Sequence, residues 1–259
     1  MSVKALQKQL IAAVAMVLVA AIAVSSSTFA WFAANTTVTA SGMQVTAQSD
    51  AVFLKIKGTG GTVGEGTITG SASDFATSSS VAMTNVKLFP SDHEAFSAIA
   101  DIGAADSTVV TDMDKWFYRY SDDPAVYNSN MTTATPVTVA NFNKYVAEVT
   151  YQVKLDDASG ADTAYDLYVK NITIAANSGI NAIVVGADGY QEFTATVADN
   201  TAGAVVLSNT VTKTAQTVTV YLFINGNDSN VYTNNINNLT GAVTMDLGCY
   251  VEDTLGVTP

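Results

Sequence analysis

The chain has 259 residues, of which 48% are hydrophobic and only 13% charged, and 11 Lys+Arg against 23 Asp+Glu give a formal net charge of −12. That length supports one large or two small domains with a proper core, and it excludes a peptide hormone or a simple anchor. A surface this acidic repels phosphate backbones and anionic headgroups, which argues against nucleic-acid binding through counterion release and favours extracellular solubility or cation binding.

The N-terminus reads as a secretory signal peptide spanning residues 1–30. Lys4 and Lys8 precede an uncharged apolar run from Leu10 to Val24, and small polar residues Ser25, Ser26, Ser27 and Thr28 follow before Phe29 and Ala30. The run is about fifteen residues, short of the ~20 that a helix at ~1.5 Å per residue needs to cross the hydrocarbon core. Cleavage is expected after Ala30, because signal peptidases accept only small side chains at −1 and −3, and Ala30 and Thr28 satisfy both. The exported chain then begins at Trp31 and is more acidic still without Lys4 and Lys8. An uncleaved signal anchor, prolonged by Trp31 and Phe32, is the alternative.

Strand signals dominate after residue 35. Expected strands run over Thr37 to Ala47, Ala51 to Lys57, Val81 to Phe89, Lys115 to Tyr120, Tyr145 to Leu155, Ala164 to Ala175, Ile180 to Val185, Glu192 to Val197, Ala204 to Leu207, Thr217 to Ile224 and Ala242 to Val251. From Tyr145 to Leu155 the odd positions are apolar and Glu148, Thr150, Gln152 and Lys154 occupy even ones, so one face lies in a core. From Thr217 to Ile224 both faces are fairly apolar, which predicts a central strand. Gly58 to Ser80 is poor in large apolar residues and reads as an excursion loop or a floppy hairpin. A short helix is allowed over Ser91 to Ile102, with Ser91 as N-cap and Glu94 three residues on. Many Thr- and Val-rich strands punctuated by Gly, Asn and Asp clusters imply an all-β sandwich with long loops, preceded by the signal-peptide helix. One domain over 48–259 is expected, with a split near Ala140 as the alternative.

A single cysteine, Cys249, cannot form an internal disulfide, so packing and sheet hydrogen bonds must hold the exported fold. Its neighbours Leu247, Tyr250 and Val251 place it on a strand as a buried, inert thiol. The sequons at Asn35, Asn130, Asn171, Asn227 and Asn238 would carry glycans only in a eukaryotic secretory pathway.

The stretch Thr28-Phe29-Ala30-Trp31-Phe32, followed by Asn35-Thr36-Thr37-Val38-Thr39-Ala40-Ser41-Gly42-Met43-Gln44-Val45, resembles the TasA/camelysin-type exported proteins of Gram-positive bacteria. In that group a T-[YF]-A-[YWF]-F element straddles the cleavage site of a SipW-type signal peptidase, and an extended Thr-rich strand follows. This chain departs from the better-known members in having Ala33-Ala34-Asn35 where an acidic Ser-Asp segment is usual. The resemblance implies a jelly-roll-like antiparallel sandwich whose subunits form extracellular matrix fibres, the N-terminal strand of one inserting into the sheet of the next. Independently of that resemblance, Trp31, Phe32, Val38, Met43 and Val45 sit in an uncharged, β-prone, Pro-free segment, so residues 31–47 are a candidate subunit-contact strand. The competing reading makes that segment the first strand of its own sheet; both hold if it folds back before assembly and is donated afterwards.

Catalysis is disfavoured by elimination. His93 is the only histidine, which precludes a two-His metal site or an H-E-x-x-H helix. Ser91, Asp92 and His93 are too close in sequence for triad geometry, and His93 reads as an exposed loop residue. Gly58 to Gly64 lacks the strand-to-helix context of a phosphate loop. No cofactor is expected; Ca2+ is the one ligand worth carrying, because Asn225, Asn227, Asp228 and Asn230 offer hard oxygens in one loop, although a solvated polar turn explains them better than a dedicated site. Trp116, Phe117 and Tyr118 fit a core strand better than a sugar-stacking platform.

The reading that results is a secreted structural subunit of a matrix fibre or surface filament, located in the extracellular matrix or at the cell surface and not an enzyme. Its expected partners are copies of itself and, during export, a signal peptidase, with membrane contact only through the uncleaved signal. A monomeric secreted adhesin or carbohydrate-binding module is the alternative.

Overall fold

A computed structural model describes residues 43–47, 54–70, 74–93, 96, 98–103, 116–118, 134–175, 179–228, 231 and 243–250. The expected signal peptide and the segment 31–42 lie outside the described residues. Among the described residues, no helix is long and apolar enough to cross a membrane.

The fold is all-β and sandwich-like. In chain order the strands are β1 (Met43–Ala47), β2 (Leu54–Thr62), β3 (Glu65–Gly70), β4 (Ser78–Lys87), β5 (Pro90–Ser91), β6 (Phe117–Tyr118), β7 (Thr135–Pro136), β8 (Val146–Leu155), β9 (Thr163–Ile174), β10 (Ile180–Val185), β11 (Tyr190–Phe193), β12 (Ser208–Thr212), β13 (Gln216–Asn225) and β14 (Val243–Tyr250). Two single helical turns, α1 (Ile99–Ile102) and α2 (Phe142–Tyr145), complete the described regular structure together with a 3-10 turn at Thr201–Gly203. One hydrogen-bonded path runs β11-β10-β13-β8-β2-β3-β4-β1-β14-β9-β12, with β5 added to β13, and β6 and β7 form a separate ribbon. Every pairing is antiparallel except β1 with β14 and β5 with β13.

The path folds over on itself. β8 packs against β12 and β10 against β9, although neither pair shares hydrogen bonds. Inward side chains of β2, β4, β8, β9, β10, β13 and β14 meet in one cluster that includes Ile56, Val81, Val149, Tyr151, Val169, Ile172, Val220, Leu222 and Leu247. On β8 the buried residues Ala147, Val149, Tyr151, Val153 and Leu155 alternate with half-exposed Glu148, Thr150, Gln152 and Lys154, as period-two patterning dictates.

β13 is flanked by β10 and β8; its inward face is buried, and on the opposite face burial is complete at Phe223. Val218, Val220, Leu222 and Ile224 face the sandwich core, whereas Phe223 and Tyr221 belong to a second cluster with Phe96, Ile102, Trp116, Phe142, Tyr145 and Ile183. The described aromatic residues between β4 and β8 therefore cover the outer face of β10, β13 and β8.

Several expectations need revision. The hairpin expected within Gly58 to Ser80 is present as β2 and β3, but it is no loose excursion, because β8 and β4 pair with it on either side. Its glycines are required by close backbone approach: a Cβ on Gly61 would sit 1.9 Å from the Glu148 carbonyl oxygen, and Gly60 adopts φ +109° at a bulge opposite β8. The Gly58 N–H donates to Ser79 Oγ at 2.7 Å, tying β2 to β4. Ser91 does not cap a helix; it is a β5 residue paired with Asn225, and the only described turn nearby is α1, preceded by Ala98. A strand expected over Ala204 to Leu207 lies instead at Ser208–Thr212, and the one expected over Glu192 to Val197 begins earlier and ends at Phe193.

Candidate functional site

The site begins as a gap between two strands. β4 and β14 follow one another in the fold only through β1, which is parallel to β14 and antiparallel to β4. Gln44, Val45, Thr46 and Ala47 are in register with Thr244, Met245, Asp246 and Leu247 on one side. On the other, Met43, Gln44, Val45 and Thr46 oppose Val81, Ser80, Ser79 and Ser78. Neighbouring strands lie ~4.8 Å apart, so taking β1 away leaves β4 and β14 facing each other across about twice that spacing, each with an unpaired main-chain edge. The slot accepts one strand through backbone hydrogen bonds on both sides.

Of the residues expected to mediate subunit contact, Met43 and Val45 lie on β1, while Trp31, Phe32 and Val38, like the cleavage residues Thr28 and Ala30, fall outside the described residues. Thr244–Leu247 lies within the strand expected over Ala242 to Val251, but that it and Ser78–Val81 flank one slot was not recognisable from the sequence. They are separated by more than half the chain, and no local pattern announces that they share one partner strand.

Around the slot, β14 and β9 are irregular in a specific way. Their register shifts between Asp246 and Leu247 and again between Gly248 and Tyr250. Tyr168 lies directly across from Gly248, where a Cβ would come within 2.8 Å of the phenol ring, and stacks on Tyr250 at 5.3 Å with ring planes 10° apart. The aromatic ring covers backbone that the glycine leaves bare. Cys249 is buried in the sandwich core, and burial pushes its thiol pKa up to about 12, so it behaves as a small hydrophobe.

His93 is not an exposed loop residue. Its side chain is 8% exposed and is enclosed by Phe96 (centroids 4.4 Å apart, stacked), Trp116 (5.0 Å) and Phe223 (5.3 Å). Its Nε2 lies 3.5 Å from Glu192 Oε2, and Asn181 Nδ2 donates to Glu192 Oε1 at 3.1 Å. Burial alone would raise the Glu192 pKa, but hydrogen bonding to His93 and the attraction of its charge, with the Asn181 hydrogen bond, outweigh it and hold the carboxyl below its ordinary value. The Ser91, Asp92, His93 run does not assemble into a relay. Ser91 Oγ is buried without a hydrogen-bond partner, and Asp92 Oδ1 accepts from the His93 main-chain N–H at 2.8 Å. Trp116 and Phe117 are fully buried, Trp116 Nε1 donating to the Ile102 carbonyl at 2.8 Å, and Tyr118 stacks on Tyr145.

The polar loop after β13 is a turn held by its own side chains. Asn225 Oδ1 accepts the Asn227 N–H at 2.8 Å, the Asp228 N–H donates to the Asn225 carbonyl at 3.1 Å, and Asn227 Nδ2 donates to Asp92 Oδ2. Asn230 lies outside the described residues, and among the described residues no group of three or more His, Cys, Asp or Glu could hold a metal ion. The adjacent carboxylates Asp156 and Asp157 are engaged by Lys55 at 3.2 Å and Lys154 at 2.9 Å.

The fold and the slot define a β-sandwich protein with its first described strand held between two others that do not pair. No known protein-family model matches the chain, and no curated protein or solved structure is significantly similar to it.

Proposed function

We propose that this protein is a secreted structural subunit of an extracellular matrix fibre or surface filament, assembled by N-terminal strand addition. The observation that carries the reading is the position of β1: a strand from the N-terminal part of the chain fills a slot that has a main-chain edge on each side. The same slot accepts the equivalent strand of a second subunit with the same hydrogen bonds, and the first subunit's own β1 is then released to a third. Such head-to-tail exchange propagates as a filament wherever the rotation between subunits does not close a ring. Export supplies the trigger: cleavage after Ala30 frees Trp31 and the uncharged segment behind it. Folded back, β1 protects the edges of β4 and β14 from indiscriminate pairing until another copy displaces it.

The test is negative-stain electron microscopy of the chain beginning at Trp31 beside the same chain lacking residues 31–47. Filaments in the longer chain alone are expected. Monodisperse particles in both would overturn spontaneous assembly and favour a monomeric secreted binding module.

A further inference from the structure

A cleft of about 410 Å3 opens beside the β2–β3 turn, away from the strand slot, lined by Gly64, Glu65, Lys87, Leu88, Phe89 and Lys144. Its volume falls within the roughly 300–1,000 Å3 of small-ligand sites. Two main-chain hydrogen bonds hold its walls: the Gly64 N–H donates to the Asn143 carbonyl at 2.6 Å, and the Phe89 N–H to the Lys144 carbonyl at 2.8 Å. The β2–β3 turn and the end of β4 are thus both fastened to α2, so the cleft exists before any ligand arrives and little ordering is required on binding. Phe89 is half-buried, its ring tilted against Tyr145 at 6.0 Å.

The charges are unusual for this chain. In a molecule of net charge −12 the cleft gathers two ammonium groups and one carboxylate. Lys87 pairs with Glu65 at 2.5 Å, both well exposed, whereas no ion pair joins Lys144 to a carboxylate among the described residues. We infer that this cleft binds a uronic-acid unit of an acidic polysaccharide. The sugar carboxylate pairs with Lys144, ring hydroxyls donate to Glu65 and accept from Lys87, and the apolar face of the pyranose lies on the Phe89 ring. A neutral sugar leaves Lys144 unanswered. An acidic peptide brings several carboxylates against Glu65 and offers fewer hydroxyl donors for it, so a single anionic group flanked by hydroxyls matches the lining best.

Isothermal titration calorimetry of the full chain with tetragalacturonate, at low salt, tests the assignment. Binding is expected, weakened roughly fivefold in Lys144→Gln, an exposed side chain whose loss leaves the near-ultraviolet circular dichroism unchanged. In ligand-observed saturation-transfer NMR, the protons on one face of the uronate ring are expected to receive the strongest transfer, and Phe89→Leu, a test independent of Lys144→Gln, is expected to abolish that bias. Three results would overturn the assignment: no binding of tetragalacturonate, equal affinity of a neutral glucose tetrasaccharide, or tighter binding of a glutamate tetrapeptide.

Discussion

Adjacent residues on β13 offer a sharp test of a strand with two cores. Leu222 faces the sandwich interior and Phe223 the aromatic cover, at 0% and 1% exposure respectively. If the cover is packed as tightly as the sandwich, truncating Phe223 must cost as much as truncating Leu222. Leu→Ala in a core costs about 2–5 kcal/mol and Phe→Ala about 3–5 kcal/mol. Phe223 also meets Trp116 edge-on at 4.8 Å and His93 at 5.3 Å. Edge-to-face pairs add about 0.5–1.5 kcal/mol beyond area burial, which places Phe223→Ala in the upper half of its range, at about 4–5 kcal/mol. With domain stabilities of about 5–15 kcal/mol and urea slopes of about 1–3 kcal/mol per molar, the unfolding midpoint should fall by about 2 M. Urea titrations followed by far-ultraviolet circular dichroism, on wild type, Leu222→Ala and Phe223→Ala, make the comparison. A loss below about 1 kcal/mol for Phe223→Ala, beside a full loss for Leu222→Ala, would refute a second packed cluster and leave the cover as a loose flap.

Two further outcomes follow from titratable groups with shifted pKa values. The folded pKa of Glu192 is depressed, so its contribution to stability is present above the ordinary value of 4.5 and disappears as pH falls through the lower folded value. Melting temperatures measured from pH 7 down to pH 3 should therefore drop less steeply in Glu192→Gln than in wild type, and parallel curves would disprove the His93–Glu192 coupling. Cys249, with its thiol held near 12 by burial, should resist a thiol-reactive chromogenic disulfide at pH 8 in the native protein and react promptly in urea. Labelling of the folded protein at the rate of a free thiol would show that β14 opens readily.

How much was legible depended on whether the signal was local. The strand Ile180–Val185 is found at its expected bounds, and β8 and β13 within a residue of theirs, because period-two burial writes itself into consecutive residues. The central position of β13 was readable because apolar residues occupied both of its faces. Cys249 was correctly read as buried from its strand neighbours alone. His93 was misread because, Phe96 apart, its surroundings come from three distant segments, through Trp116, Glu192 and Phe223. The same holds for β5 and β7, two-residue strands with no periodicity that exist only because β13 and β6 lie beside them.

The sequence by itself determined the class of fold, since alternation along a strand and Gly-, Asn- and Asp-rich turns depend on the physics of neighbouring residues. Tertiary structure alone decided which strands became neighbours. β1 lies between Ser78–Val81 and Thr244–Leu247, and the Gly64 turn meets α2 beside Lys144, because main-chain edges pair with whatever the folded core brings alongside. Backbone hydrogen bonds are the same for every residue type, so the sequence carries little record of which edge each strand will meet.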